Sequence, residues 1–440
     1  MTSLILTKIQ EQDYLLLFQN PSEIRATGGF IGSYGIISLD DGKVKKMFLD
    51  DIFNPDGQLK EKVVPPFPIQ KISTSWSLHD SNWFFDFPTS AKKAAWFYEK
   101  TGGPTVSGVV AFNPSVVERL LDVTGPIDMP EYGTVIVAEN FVDIIQYKVE
   151  KDFNKEENKP KKILADFMPK FIERLLSKKE NFPKIISALT ESIKNKDIMV
   201  YSADEDVQKI ISKNNFSGEV MDSNNDYLAV VSSNINGYKT DRVVDENVDL
   251  KTEVDANGYV INTLAITKKH EGGSSKFDYY NKVNVDYLRV YVPEGSMLIS
   301  ASGQTLETIK PPVDYEKLGF KVDKDVQEAE SSMVIDEKTK TQIYKESGKT
   351  VFGNWVYVSP KEDVALVYKY RLPKRLYQGE NYEIVFQKQS GSKIKLNWKF
   401  SFGNVPHVSS DDPDLNISSS FAGFSSDWNS DMKKILKFGF

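Results

Sequence analysis

The chain has 440 residues, beyond the size at which one hydrophobic core stops growing, so two domains are expected. Hydrophobic residues make up 40% and charged residues 27%, which excludes a disordered chain. A net charge of −7 with a pI near 5.4 argues against a nucleic-acid binder, and the lack of cysteine excludes disulfides, thiolate nucleophiles and sulfur-ligated zinc. His79, His270 and His407 are too scattered to predict a metal cage. No apolar run reaches the ~20 residues that a bilayer crossing needs. Met1–Leu6 lacks the charged start and cleavage site of a secretory leader, so an exported protein would carry its targeting segment upstream.

The first half alternates strand and helix signals. Tyr14–Phe18 is wholly apolar and predicts a buried strand. Gly29–Leu39 and Val44–Leu49, separated by Asp40-Asp41-Gly42, predict a hairpin. Pro88–Phe97 predicts a helix that stops at Gly102-Gly103, and Val106–Phe112 another buried strand. Asn113-Pro114 reads as a cap with proline at the first helical position, followed by Val116, Val117, Leu120 and Leu121. Phe141, Ile145 and Val149 mark one amphipathic helix; Ile163, Phe167 and Phe171 mark a second, with a kink or restart expected at Pro169. Ser202–Glu205 reads as a capping box, and Tyr227–Val231 as the last strand of this half.

From about Asp241 the period changes to two. Ile394, Leu396, Trp398, Phe400 and Phe402 alternate with polar residues, and Val283–Val292, Trp355–Val358, Val364–Leu372 and Tyr382–Phe386 behave alike. Lys321–Lys349 is polar and reads as a long excursion. The expected architecture is an α/β domain over residues 1–240 and an all-β, sandwich-like domain over 241–440.

Three stretches carry candidate chemistry. In Asn20–Gly35, the Arg25 fork, the Thr27 hydroxyl and the backbone at Gly28 and Gly29 suit an anion, or else form a glycine-relieved turn in which Arg25 pairs with Glu23. In His79–Pro88, Asp80, Asn82 and Asp86 suit a hard cation such as Mg²⁺, with Asp80 and Asp86 as ligands, or else build turns pinned by Trp83, Phe84 and Phe85. His79 is the sole histidine of this half, hence its sole candidate for histidine general-base work, and otherwise a solvated surface residue. In Asn236–Arg242, Lys239, Asp241 and Arg242 complete a charged site or form a polar domain junction. Asn54-Pro-Asp-Gly57 reads as a turn, and Gly28-Gly29 is no dinucleotide fingerprint because a strand follows it.

Tyr14–Ser33, Asp80–Pro88, Ser107–Ala111, Leu121–Ile127 and Asn236–Asp241, together with Tyr287–Ser296, resemble the bacterial family named domain of unknown function 4012 over nearly the whole chain. That resemblance implies an extracytoplasmic protein tethered by a transmembrane helix upstream of this region. The order of strands, the Arg25 turn, Val109–Ile127 and a lysine-rich helix is more distantly similar to the LytR-CpsA-Psr family. The similarity implies that fold for the first domain and a polyprenyl-phosphate-linked glycan or cell-wall polymer as ligand, with Arg25 matching a phosphate-binding arginine. The family's aspartate is absent from Arg25-Ala-Thr-Gly28, and lysines stand where its later arginines would be, which implies a rebuilt or inactive site. Three readings follow: an envelope protein binding a phosphorylated glycan or lipid-linked ligand, an active phosphotransferase, or a structural or adhesive module. Neither nucleic acid nor direct membrane insertion is expected.

Overall fold

A computed structural model describes residues 12–41, 43–152, 161–177, 179–376, 381–402 and 407–439. The chain divides into two compact units with interleaved segments. The first holds the residues up to Asn20, Thr27–Glu61 and Ser77–Glu219; the second holds Pro21–Ala26, Lys62–Trp76 and everything from Val220 on.

The first unit is α/β. Its main sheet has the order β3-β2-β1-β4-β7, built from β1 (Gln12–Asn20), β2 (Phe30–Asp40), β3 (Lys43–Asp51), β4 (Gly108–Phe112) and β7 (Ile198–Ser202). A separate hairpin pairs β5 (Ile127–Met129) with β6 (Thr134–Ile136). Leu15, Leu16 and Leu17 of β1 are buried because the strand lies inside the sheet, antiparallel to β2 and parallel to β4. The parallel pair needs a crossover, and its helix is Phe87–Lys100. Residue Gly42 of the expected hairpin lies outside the described residues. Helices at Pro114–Thr124, Phe141–Glu150, Lys162–Ser177 and Phe182–Lys194 bury Val116, Leu120, Phe141, Phe167 and Phe171 in one cluster, as the 3.6 period requires.

Two local expectations change. The helix Lys162–Ser177 runs through Pro169 without a restart, which removes that one of the two alternatives, kink or restart. The cap before Val207 is Asp204, whose carboxylate accepts from the backbone N–H of Asp206 and Val207, while Ser202 ends β7. A carboxylate immediately before the helix outcompetes a serine already committed to a strand.

The second unit is strand-rich. One sheet has seven strands in the order β12 (Met297–Ser302), β16 (Asp363–Arg375), β10 (Tyr259–His270), β9 (Val244–Val254), β18 (Ile394–Ser401), β21 (Phe421–Asp427) and β20 (Asn416–Ile417). The other has eight: β13 (Val334–Ile335), β14 (Gln342–Glu346), β15 (Lys349–Val358), β11 (Asn284–Pro293), β8 (Asp226–Val231), β17 (Tyr382–Phe386), β22 (Met432–Gly439) and β19 (His407–Ser409). Both sheets feed one core: Val248, Leu250, Leu264 and Trp398 from the first meet Leu228, Val290, Phe352 and Phe386 from the second. Among the described residues the unit has one α-helix, Lys324–Ser331, inside the polar excursion.

The division between units falls at Glu219/Val220, and two short early segments cross it. Tyr227–Val231, expected to close the first domain, is instead part of β8, between β11 and β17. An apolar run announces a strand buried on both faces without saying which sheet buries it.

Candidate functional site

The first motif is divided between the units at Ala26/Thr27. Arg25 is 3% exposed in the second unit, and its guanidinium donates to the backbone carbonyls of Ile24 and Asn234. Its fork therefore holds main chain instead of facing solvent. Around it, Asp241 accepts from Ile24 N at 3.1 Å, Asn234 Nδ2 at 2.7 Å and Asn284 Nδ2 at 3.0 Å. Burial pushes the Asp241 carboxyl up to about 6, against the pull of nearby Lys268. Lys239 Nζ pairs with Glu23 Oε1 at 2.6 Å, so the expected partner of Arg25 is taken by a lysine. Arg242 sits on the exposed side of the short turn Thr240–Val243. Arg25, Lys239 and Asp241 converge, but on a knot that fastens Pro21–Ala26 into the strand-rich unit.

Thr27, Gly28, Gly29 and Asn82 belong to the first unit and gather on Gln19, at the C-terminal end of β1. Gln19 Oε1 accepts from Thr27 Oγ1 at 3.2 Å and from Gly29 N at 3.0 Å, while Asn82 Nδ2 donates to Gly29 O at 2.8 Å. Gly28 has φ +136°, a conformation open to glycine, which lets the chain reverse there before entering β2. The β1–β2 register slips at Phe18/Gln19, leaving Gly32 as the extra residue on β2.

Beside this cradle lies a partly open cluster centred on His79. Its Nδ1 is 2.6 Å from Asp56 Oδ2 and its Nε2 3.1 Å from Asp80 Oδ2. Asp56 also accepts from the backbone N–H of Leu78 at 2.8 Å and of His79 at 3.2 Å. Burial works against the imidazolium, but the two carboxylates outweigh it and raise the His79 pKa to about 10. A histidine held protonated at neutral pH is not a general base; it is a fixed cation. Phe30 and Phe53 flank the imidazole, with ring centroids 5.7 Å and 5.5 Å away, and Phe53 is 56% exposed. Lys161 Nζ lies 3.2 Å from Asp51 Oδ2 and 5.9 Å from the Phe53 ring, beside Gly32. Asp50 Oδ1 accepts from Asn54 Nδ2 at 2.8 Å, and Asp51 Oδ1 from Phe53 N at 3.0 Å. Four carboxylates thus stand against two cations.

The expected Mg²⁺ ligands do not come together. Asp80 is committed to His79, whereas Asp86 caps the helix Phe87–Lys100 by accepting from Thr89 N at 3.1 Å and Thr89 Oγ1 at 2.7 Å. Among the described residues no group of three His, Asp or Glu side chains could hold a metal ion. Sequence reasoning passed over Asp56, in Asn54–Gly57, because a turn signal carries no information about a long-range acceptor. It also passed over Gln19 and Phe53, which look like an ordinary strand-end residue and an ordinary surface residue.

Residues 10–149, about a third of the chain, match the family described as "Protein of unknown function (DUF4012)", so the resemblance to that family holds over this segment. No curated protein matches the sequence. Solved structures with some likeness include protein gbs0355 from Streptococcus agalactiae, with 14% identity, TM-score 0.30, 48% of this chain and 76% of that chain covered. The Lin1025 protein from Listeria innocua shows 12% identity and TM-score 0.28, over 52% of this chain and 86% of its own. A transcriptional regulator from Enterococcus faecalis shows 12% identity and TM-score 0.26, over 50% of this chain and 78% of its own. At such scores the likeness carries no inference about fold or function.

Proposed function

We propose that this is an extracytoplasmic envelope protein whose first unit, a LytR-CpsA-Psr-like α/β domain, binds a hydroxyl-rich glycan at the Phe30–Phe53–His79 corner. The observation that carries the reading is the partly open aromatic triangle with carboxylates around an imidazolium that stays charged at neutral pH. Open α/β sheets receive ligands beyond the C-terminal ends of their parallel strands, and the corner lies beyond the end of β1, where Asn20 pairs with Phe30. Phenyl faces offer apolar surface to the C–H face of a sugar ring, and fixed carboxylates accept from its hydroxyls. The excess of carboxylates over cations disfavours a phosphate, and Arg25 is occupied elsewhere. The ligand class is therefore a neutral or amine-bearing glycan in place of a phosphorylated one.

Isothermal titration of the whole chain tests this with three probes: an N-acetylglucosamine oligomer, its de-acetylated form, and a polyprenyl phosphate. Binding of either glycan, weakened about tenfold or more by Phe53→Ala with the fold intact by circular dichroism, is the expected result. Binding of the polyprenyl phosphate alone would return the assignment to a phosphorylated ligand and reopen phosphotransfer. Binding of none would leave the corner a structural feature of a presenting or adhesive module.

A further inference from the structure

Gln19 and Asn82 are 3% and 1% exposed, and each keeps one side-chain atom without a hydrogen-bond partner: Gln19 Nε2, a donor, and Asn82 Oδ1, an acceptor. Exchanging amide oxygen and nitrogen does not remove them. The Gly29 N–H can only donate, so the atom it meets on Gln19 must be oxygen. The Gly29 carbonyl can only accept, so the atom it meets on Asn82 must be nitrogen. The backbone of one glycine thus fixes both amides. The amides also approach each other, Asn82 Nδ2 to Gln19 Oε1, at 3.5 Å, so the two unpartnered atoms belong to adjoining side chains. Ser81 Oγ, one residue away and fully buried, likewise has no partner.

We propose that this amide pair is a binding site for one internal water molecule, which accepts from Gln19 Nε2 and donates to Asn82 Oδ1. The missing group must accept and donate at once. A phosphate oxygen only accepts and a metal ion does neither, whereas water does both. Burial of both side chains to 3% or less selects water over the hydroxyl of a larger molecule. Such waters typically bridge two to four otherwise unsatisfied groups and cost little more than a direct hydrogen bond. Its place is also informative: Gly29 precedes Phe30, and Asn82 follows the His79–Asp80 pair by two residues. The water would tie together the two backbone segments that carry the aromatic corner, and so act as a floor to it. That role does not depend on what the corner binds.

A high-resolution crystal structure of the ligand-free chain tests the site directly. The expected result is a solvent peak within hydrogen-bond distance of both Gln19 Nε2 and Asn82 Oδ1, with amide orientations as described. An empty site, or amides paired with each other through those atoms, overturns the proposal. In solution, oxygen-17 relaxation dispersion should count one fewer long-lived water in Asn82→Leu than in the wild type. An unchanged count in a folded variant overturns it too; should Asn82→Leu not fold, the wild-type density alone decides. Neither readout involves a glycan, so loss of the water site and loss of the glycan reading are separable.

Discussion

In the second unit Lys268 is 1% exposed, with its ammonium 2.6 Å from Asp286, 3.1 Å from Glu246 and 2.8 Å from the Ser232 hydroxyl. In the first unit the cation of a comparable acid–cation–acid arrangement, His79, keeps 22% of its side chain exposed between Asp56 and Asp80. Both are one cation between two carboxylates. The difference in access separates a strut from a surface: charges sealed inside a β core serve packing and register, whereas a charge left half open is available to a ligand. Arg289, fully buried on β11 3.8 Å from Glu346, and Asp226, fully buried on β8, belong with the struts.

The largest test of this contrast is Lys268→Met. It leaves Asp286 and Glu246 buried without their cation and is expected to cost about 3–5 kcal/mol in denaturant unfolding. A cost below 1 kcal/mol would mean the network is not a strut, and the comparison with His79 would fail.

Next comes Asp226→Asn. Burial pushes the Asp226 carboxyl up to about 6, although Tyr382, Asn262 and the Tyr227 N–H all donate to it. An acid whose folded pKa lies above its unfolded value contributes stability that is full below the unfolded pKa, near 4, and is lost as pH rises through 6. The loss amounts to about 3 kcal/mol. The difference between wild type and Asp226→Asn should therefore change across that window and stay constant above it. A pH-independent difference would remove Asp226 from the struts.

His79→Gln should act less on stability and later in pH. The imidazolium contributes fully below pH 6.5 and its contribution disappears as pH rises through about 10. Allowing for the part of the side chain in water, about 1–2 kcal/mol is expected. A cost as large as that of Lys268→Met would make His79 a strut as well, and would weaken the glycan reading. The smallest effect, about 1 kcal/mol, is expected for Asp86→Ala, which removes a helix cap and no ligand contact. If Asp86→Ala changed glycan affinity while leaving stability intact, the carboxylate would belong to the site after all.

Much of the fold was legible in sequence because one period dominated each stretch. Ile394–Ser401 alternates buried and exposed as read, and Phe141, Phe167 and Phe171 all turn inward. Less legible was membership. Tyr227–Val231 is apolar in any sheet, and nothing local in Pro21–Ala26 says that its partners lie more than 200 residues away, at Asn234 and Asp241. The candidate site was half legible for the same reason. Asn82, Thr27 and Gly29 stand near Gln19, and Asp80 beside His79, because short sequence motifs place them there. Arg25 looked like a phosphate anchor by residue type, but two carbonyl groups had claimed it. Asp56 could not be found at all, since its use depends on how a turn and a 3-10 segment 22 residues apart come together.

The clasp at Arg25 also bears on how the protein is made. The Arg25 carbonyl accepts from Gln389 Nε2 at 3.0 Å across 364 residues. At ribosomal speeds of 5–20 residues per second, roughly 20–70 s separate the synthesis of the two partners. Asn234 and Asp241 follow after 209 and 217 residues, but the fastening of Pro21–Ala26, next to the apolar Leu15–Leu17 of β1, stays incomplete until Gln389 is made. The nascent chain would need something to shield this stretch, such as a holding chaperone or export in an unfolded state, until its last quarter emerges.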